Sequence, residues 1–258
     1  MAWQRAQARK EASPVSHVRC PIVELRQYTL HDGQRDALID LFDRELVESQ
    51  EAAGMTLIGQ FRDLDDPNRF VWLRGFTDMP SRAEALRAFY GGPMWKAHAR
   101  QANATMIDSD NVLLLRPADE RSGFPAPTTA RPPAGHPVAP RSVVIATLYY
   151  RDQPFDKAFA DFFDRSVRPV ITDAGAAPLA CLQTEHAENT FPSLPVREGE
   201  NVFAWFARFS GQFEVAIHQR ALERSPAWRD AVLPELSAAI SGQPQRLRLT
   251  PTARSLLR

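Results

Sequence analysis

The stretch VELRQYTL, residues 23–30, alternates like a strand and sets Glu24, Arg26 and Tyr28 on one face, with Val23 and Leu25 on the other. Two positions apart on one face, Glu24 and Arg26 can pair side by side and leave the guanidinium fork to hold a carboxylate, an enolate or a phenolate. Tyr28 adds a phenol able to donate a proton or a hydrogen bond. The competing reading is an ion pair satisfied within the fold, because an unpaired buried charge is costly. A second strand-like stretch, FVWLRGF at 70–76, carries Arg74 on the same face as Phe70, Trp72 and Phe76. Two arginines and one acid suit an anionic or enolisable ligand. If that face packs on helices instead, Arg74 snorkels at its edge.

Among the histidines, His98 follows Pro93-Met94-Trp95 and has the right pKa class for a general base, although no catalytic partner is fixed by spacing. The bland alternative is an exposed helix residue. His31 adjoins the Asp32-Gly33 turn, and His186 lies in EHAE (185–188), which has too few imidazoles for a metal site. Cys20 and Cys181 are the only cysteines and have no CxxC spacing, so neither a metal centre nor a disulfide framework is expected. Gly91-Gly92-Pro93 lacks the lysine and the preceding strand of a phosphate loop, so no nucleotide cofactor is expected.

Lysine plus arginine equals aspartate plus glutamate at 31 each, which removes the overall field that would draw a protein onto nucleic acid or an anionic membrane. The apolar runs are too short for a membrane span. The expected partner is a small-molecule ligand in a reducing, cytoplasmic setting, with a homodimer left open.

The elements that position these residues occur twice. Residues 23–62 align without a gap on 144–183, with identities at Val23, Tyr28, Ala37, Asp40, Phe42, Asp43, Arg44, Ala53 and Gly54. Residues 70–97 align on 203–230, pairing Phe70 with Phe203, Trp72 with Trp205, Phe76 with Phe209 and Trp95 with Trp228. The change of offset assigns an insertion to 184–202, which suits a lid or a subunit contact. Seven prolines between 116 and 141 mark a stiff connection. The expected organisation is a flexible arm at 1–20, a first domain at 21–117, a linker at 118–141, a second domain at 142–251 and a tail at 252–258.

Within the first copy, periodicity predicts a strand at 22–30, a helix carrying Leu38, Leu41, Phe42 and Leu46 that ends near Gly54, and strands at 55–61 and 70–76. A helix then opens at the Ser81-x-x-Glu84 capping box, breaks at Gly91-Gly92-Pro93, and is followed by a strand at 111–117. The order βαββαβ is the ferredoxin-like unit, with both helices on one face of its sheet. Apposing the two uncovered faces closes an α+β barrel. Val23 and Leu25 are expected to pack on helices, while Glu24, Arg26 and Tyr28 look into a cavity between the sheets. His31 sits at its mouth. Tyr149 repeats Tyr28, whereas Ile145 and Thr147 replace Glu24 and Arg26, so the site is asymmetric.

On ELRQYTL followed by Asp-Gly and an amphipathic helix, on Gly54-Met55, on Arg82 and on GGPMWKAH, the chain resembles the NIPSNAP family. That resemblance implies a tandem ferredoxin-like barrel and homo-oligomers. Wider relatives include cofactor-independent monooxygenases, isomerases and haem-binding enzymes. The third strand departs from the family pattern, with Trp72 and Arg74 where a histidine and a tryptophan are common. The expected function is a metal- and nucleotide-independent enzyme for oxygenation, isomerisation or cyclisation. Arg26, Arg74, Trp72, Phe76, His31 and Tyr149 would hold the substrate, and Tyr28, Glu24 or His98 would move a proton. The alternative is a non-catalytic binding or scaffold protein, or a carrier of haem or another ligand.

Overall fold

The structure is a computed structural model that describes residues 20–258, so the arm expected at 1–20 lies outside the described residues except for Cys20. Strand β1 (Ile22–Leu30) leads through a turn into helix α1 (35–52), whose middle, Phe42–Leu46, is wound as a π-helix. Gly54, at φ +98°, ends that helix in the left-handed conformation that glycine adopts without a Cβ penalty. Strands β2 (Thr56–Asp63) and β3 (Arg69–Phe76) form the expected hairpin.

Helix α2 (Met79–Gly91) starts before the predicted capping box. Asp78 is the cap and accepts from the Ser81 backbone N–H at 2.6 Å, so Ser81 lies inside the first turn. Gly92 is extended, and α3 (Pro93–Asn103) restarts at the proline. A short strand β4 (Met106–Asp108), not foreseen, pairs with β1 ahead of β5 (Val112–Pro117).

The second half repeats the scheme: β6 (Val143–Tyr150), α4 (157–173), β7 (Pro178–Thr184), β8 (Val202–Phe209), α5 (Gln212–Arg224), α6 (227–239) and β9 (Gln245–Pro251). Helix α4 carries a π-helical segment, Phe163–Val167, at the repeat equivalent of that in α1. Gly175, at φ +97°, ends α4 as Gly54 ends α1.

Each half forms a four-stranded antiparallel sheet, and the halves join along two seams. β2 pairs β9 through Phe61↔Pro251 to Asp63↔Leu249, and β5 pairs β7 through Leu115↔Thr184 to Pro117↔Leu182. The eight strands therefore close into an antiparallel barrel within one chain, with β4 appended to β1. The tail at 252–258 continues along β2: the Thr252 and Leu257 N–H groups donate to the carbonyls of Gln60 and Ile58.

The barrel interior corrects the sequence reading of β1. Val23 and Leu25 point inward and pack with Val71, Leu73, Val144, Ala146, Leu148 and Phe206 in one buried cluster. Phe124, from the connection between the halves, enters this cluster with its ring 4.9 Å from Phe206. An eight-stranded barrel is just wide enough for side chains to fill it, and these are apolar. Glu24, Arg26 and Tyr28 therefore face the helices. Period two holds along β1, but its inside and outside are exchanged. Val144, Ala146 and Leu148 carried this signal, since the second copy is apolar at the same inward positions.

Candidate functional site

The first half packs a buried charge cluster between β1, β3 and α2. Glu24 and Arg74 are register partners on β1 and β3. Glu24 Oε2 accepts from Arg26 Nη1 and Arg74 Nε, each at 2.7 Å, and Oε1 accepts from Arg82 Nε at 2.6 Å. All four side chains have no solvent exposure. Arg26 Nε donates to the Tyr28 hydroxyl at 3.0 Å, and Arg74 Nη1 donates to Gln50 Oε1 at 3.3 Å. The guanidinium carbons of Arg26 and Arg74 lie 5.5 and 5.0 Å from the centre of the Trp72 ring, and Arg74 lies 5.6 Å from Phe76, within cation–π range. Burial works to raise the Glu24 pKa, but Arg74, Arg26 and Arg82 outweigh it and hold the carboxyl well below its usual range. Burial pushes the Tyr28 phenol up.

This cluster unites Glu24, Arg26, Tyr28, Trp72, Arg74 and Phe76, but in the sheet–helix layer instead of the barrel. His31 is exposed, and its backbone N–H donates to the Thr105 carbonyl. His98 lies partly exposed on α3, its Nε2 3.8 Å from Glu45 Oε2 of α1. No hydrogen bond among the described residues links either histidine to the cluster. Arg82 is the member missed by the site reading, and its signal was position: with Leu86 and Phe89 it occupies the buried stripe of α2.

The insertion between β7 and β8 crosses to this site. Asn189 Oδ1 accepts from Arg82 Nη1 at 3.0 Å, Thr190 Oγ1 donates to the Met79 carbonyl at 3.2 Å, and Phe191 stacks on Tyr90 with centroids 6.0 Å apart. A loop of the second half thus covers the polar cluster of the first.

The corresponding place in the second half is hollow. Ile145, Thr147, Ala207 and Val215 stand at the repeat positions of Glu24, Arg26, Arg74 and Arg82. A cavity of about 590 Å³ opens between the sheet and the helices, lined by Ile145, Thr147, Tyr149, Trp205, His218, Leu222, Trp228 and Arg246 among others. Neutral and smaller side chains leave the volume that three arginines fill in the first half.

The Tyr149 hydroxyl accepts from Trp205 Nε1 at 3.0 Å, and burial pushes its pKa up to about 12. His218 Nδ1 lies 3.0 Å from the Ala174 carbonyl, which makes Nδ1 the protonated nitrogen and leaves Nε2 with the lone pair. Burial lowers the His218 pKa, and Arg246 lowers it further against the opposing Ala174 bond. Neither His218, considered only as an axial ligand for haem, nor Arg246 belongs to the site set expected from the sequence. His218 was legible as the polar member of the Val215, His218, Leu222 stripe. Tyr149 is the residue from the predicted set that lines this cavity.

Fold and site together define an α+β barrel built from two ferredoxin-like repeats, with one repeat sealed and one hollow. Residues 23–120 match the NIPSNAP family model. Among curated proteins there is no significant match. Three solved structures share the fold over most of both chains. An anthrone oxidase-like protein is 13% identical, with 90% of this chain and 91% of that chain covered at a TM-score of 0.54. A protein from Fusobacterium nucleatum, named a putative monooxygenase, is 8% identical over 90% and 93% at 0.52. One of the same description from Lactobacillus acidophilus is 14% identical over 90% and 94% at 0.50. At these identities the likeness is one of fold. No helix among the described residues is long and apolar enough to cross a membrane.

Proposed function

We propose that this protein is a small-molecule enzyme whose substrate site is the second-half cavity, and that it acts on an apolar, ring-bearing substrate with an acidic hydroxyl or an enolisable C–H. The observation that carries this reading is the neutral His218 imidazole in a cavity that also presents Tyr149, Trp205 and Trp228, with Arg246 beside it and Gln219 and Glu223 among the polar groups of the wall. His218 Nε2 takes the proton. Arg246 offsets the charge of the anion, and Trp205 and Trp228 pack against the ring. Tyr149, held by Trp205, presents a neutral phenol at neutral pH.

The fold shared with proteins named as monooxygenases and an anthrone oxidase-like protein favours oxygenation as the next step. In such a reaction the deprotonated ring carbon passes electrons to dioxygen. One oxygen atom remains on carbon as a carbonyl and the other leaves as water. Anthrone is the natural probe: exposed to the protein in air, it should quench tryptophan fluorescence saturably and yield its quinone with matching oxygen uptake. His218→Gln should bind it but not turn it over.

Saturable binding without turnover by the wild-type protein supports the second reading, a ligand carrier. That reading draws on the first half, where the polar groups nearest the family motif are occupied by one another. Absence of binding overturns both.

A further inference from the structure

The sealed site of the first half holds more positive charge than its own residues offset. Arg26, Arg74 and Arg82 surround a single carboxylate, Glu24, and all four are fully buried. No other carboxylate among the described residues pairs with any of the three, so two positive charges remain uncompensated in a medium where an unpaired charge is costly. Donors are also left over. Arg82 Nη2 and Trp72 Nε1 are buried without an acceptor, and Arg74 Nη2 has only the Glu24 oxygen already shared with two other nitrogens. The Tyr28 phenol does not supply the missing charge, because burial keeps it protonated.

The covering loop sharpens the imbalance. It carries Glu185 and Glu188, yet it presents the neutral Asn189 and Thr190 to Arg82 and leaves Glu188 in solvent. We propose that the Arg26, Arg74 and Arg82 cluster beneath the 184–202 loop is a binding site for a small oxyanion, a carboxylate or a phosphate, and that the loop is its cover. The guanidinium fork matches the geometry of either anion. Asn189 and Thr190 also line a surface hollow of about 500 Å³, whose charged residues are Arg87, Glu84 and Glu188. This site is separate from the cavity of the second half and does not depend on the reaction proposed there.

The test is thermal unfolding of the full chain at constant ionic strength, with chloride replaced stepwise by acetate in one arm and by phosphate in the other. The proposal expects a saturable rise in Tm with at least one of them, and the arm that saturates at lower concentration identifies the anion. Arg82→Met should weaken the apparent Kd at least tenfold. Asn189→Asp keeps the side-chain shape and places a carboxylate against Arg82, so it should raise Tm in chloride and abolish the anion response. This second variant keeps the test decisive if Arg82→Met does not fold. The proposal is overturned if neither anion gives a saturable shift with the wild-type protein. It is also overturned if Asn189→Asp responds to the anion as the wild-type protein does.

Discussion

Arg74 Nε donates to Glu24 Oε2 at 2.7 Å across the β1–β3 ladder, where the two residues are direct register partners. A cross-strand pair is held by the backbone hydrogen bonds on either side, so little side-chain freedom remains to be lost when the bond forms. Arg26 and Arg82 complete the coordination of the same carboxylate from β1 and α2. One acid thereby ties two strands and a helix.

Glu24→Gln should destabilise the protein by about 3–5 kcal/mol in denaturant unfolding, since it leaves three buried guanidinium groups without their carboxylate. The pH dependence has a definite sign. Glu24 has a folded-state pKa held below that of the unfolded chain, so its stabilisation is fully present above the unfolded value of roughly 4.3. It is lost as pH falls below that value toward the folded pKa. The wild-type protein should lose stability through this acid range, and Glu24→Gln should show a smaller loss. An equal acid sensitivity in the two proteins would assign it to other groups.

Phe124→Ala tests whether the barrel is a packed core. Phe124 is 3% exposed and fills the interior against Phe206. Its removal should cost about 3–5 kcal/mol, read from the midpoint of urea unfolding. Probe binding in the second-half cavity should be unchanged, because Phe124 is not among its lining residues. A stable variant that gained a ligand site inside the barrel would restore the chamber expected from the sequence.

His218 should set the acid limb of turnover. Its folded pKa lies below the ordinary histidine value of about 6.5, so the base form persists through neutral pH and the rate should fall only on acidification. The same shift acts on stability. The unfolded chain takes up the proton first, so stability is full above the unfolded pKa and declines as pH drops below it. His218→Gln should lower turnover by about 10²–10⁴-fold and flatten that limb. A rate profile unaltered by the substitution would remove His218 from the mechanism.

Phe191→Ala should loosen the loop that crosses from the second half to the first. The loss of its packing on Tyr90 should cost about 1–2 kcal/mol. Hydrogen exchange should accelerate in the loop and the start of α2, where Thr190 holds the Met79 carbonyl, and stay unchanged in α5. Equal acceleration in both halves would mean that the loop has no special relation to the first site.

Much of the architecture was present in the order of residues. The offset between the copies, the alternation of β1 and β3, Gly54 and Gly175 at the helix ends, and the adjacency of Glu24 and Arg74 are local or duplicated features. They depend on backbone periodicity and on which strands a ferredoxin-like unit places side by side. Periodicity, however, gives two faces without saying which one is enclosed. That choice was made when two apolar faces met along the β2–β9 and β5–β7 seams and filled the barrel with aliphatic and aromatic side chains. The crossing of Asn189 to Arg82 joins residues 107 positions apart, and the hollow beside His218 arises from volume left by Ile145, Thr147 and Val215. Neither a long-range contact nor an empty volume has a period, so both belong to the tertiary structure alone.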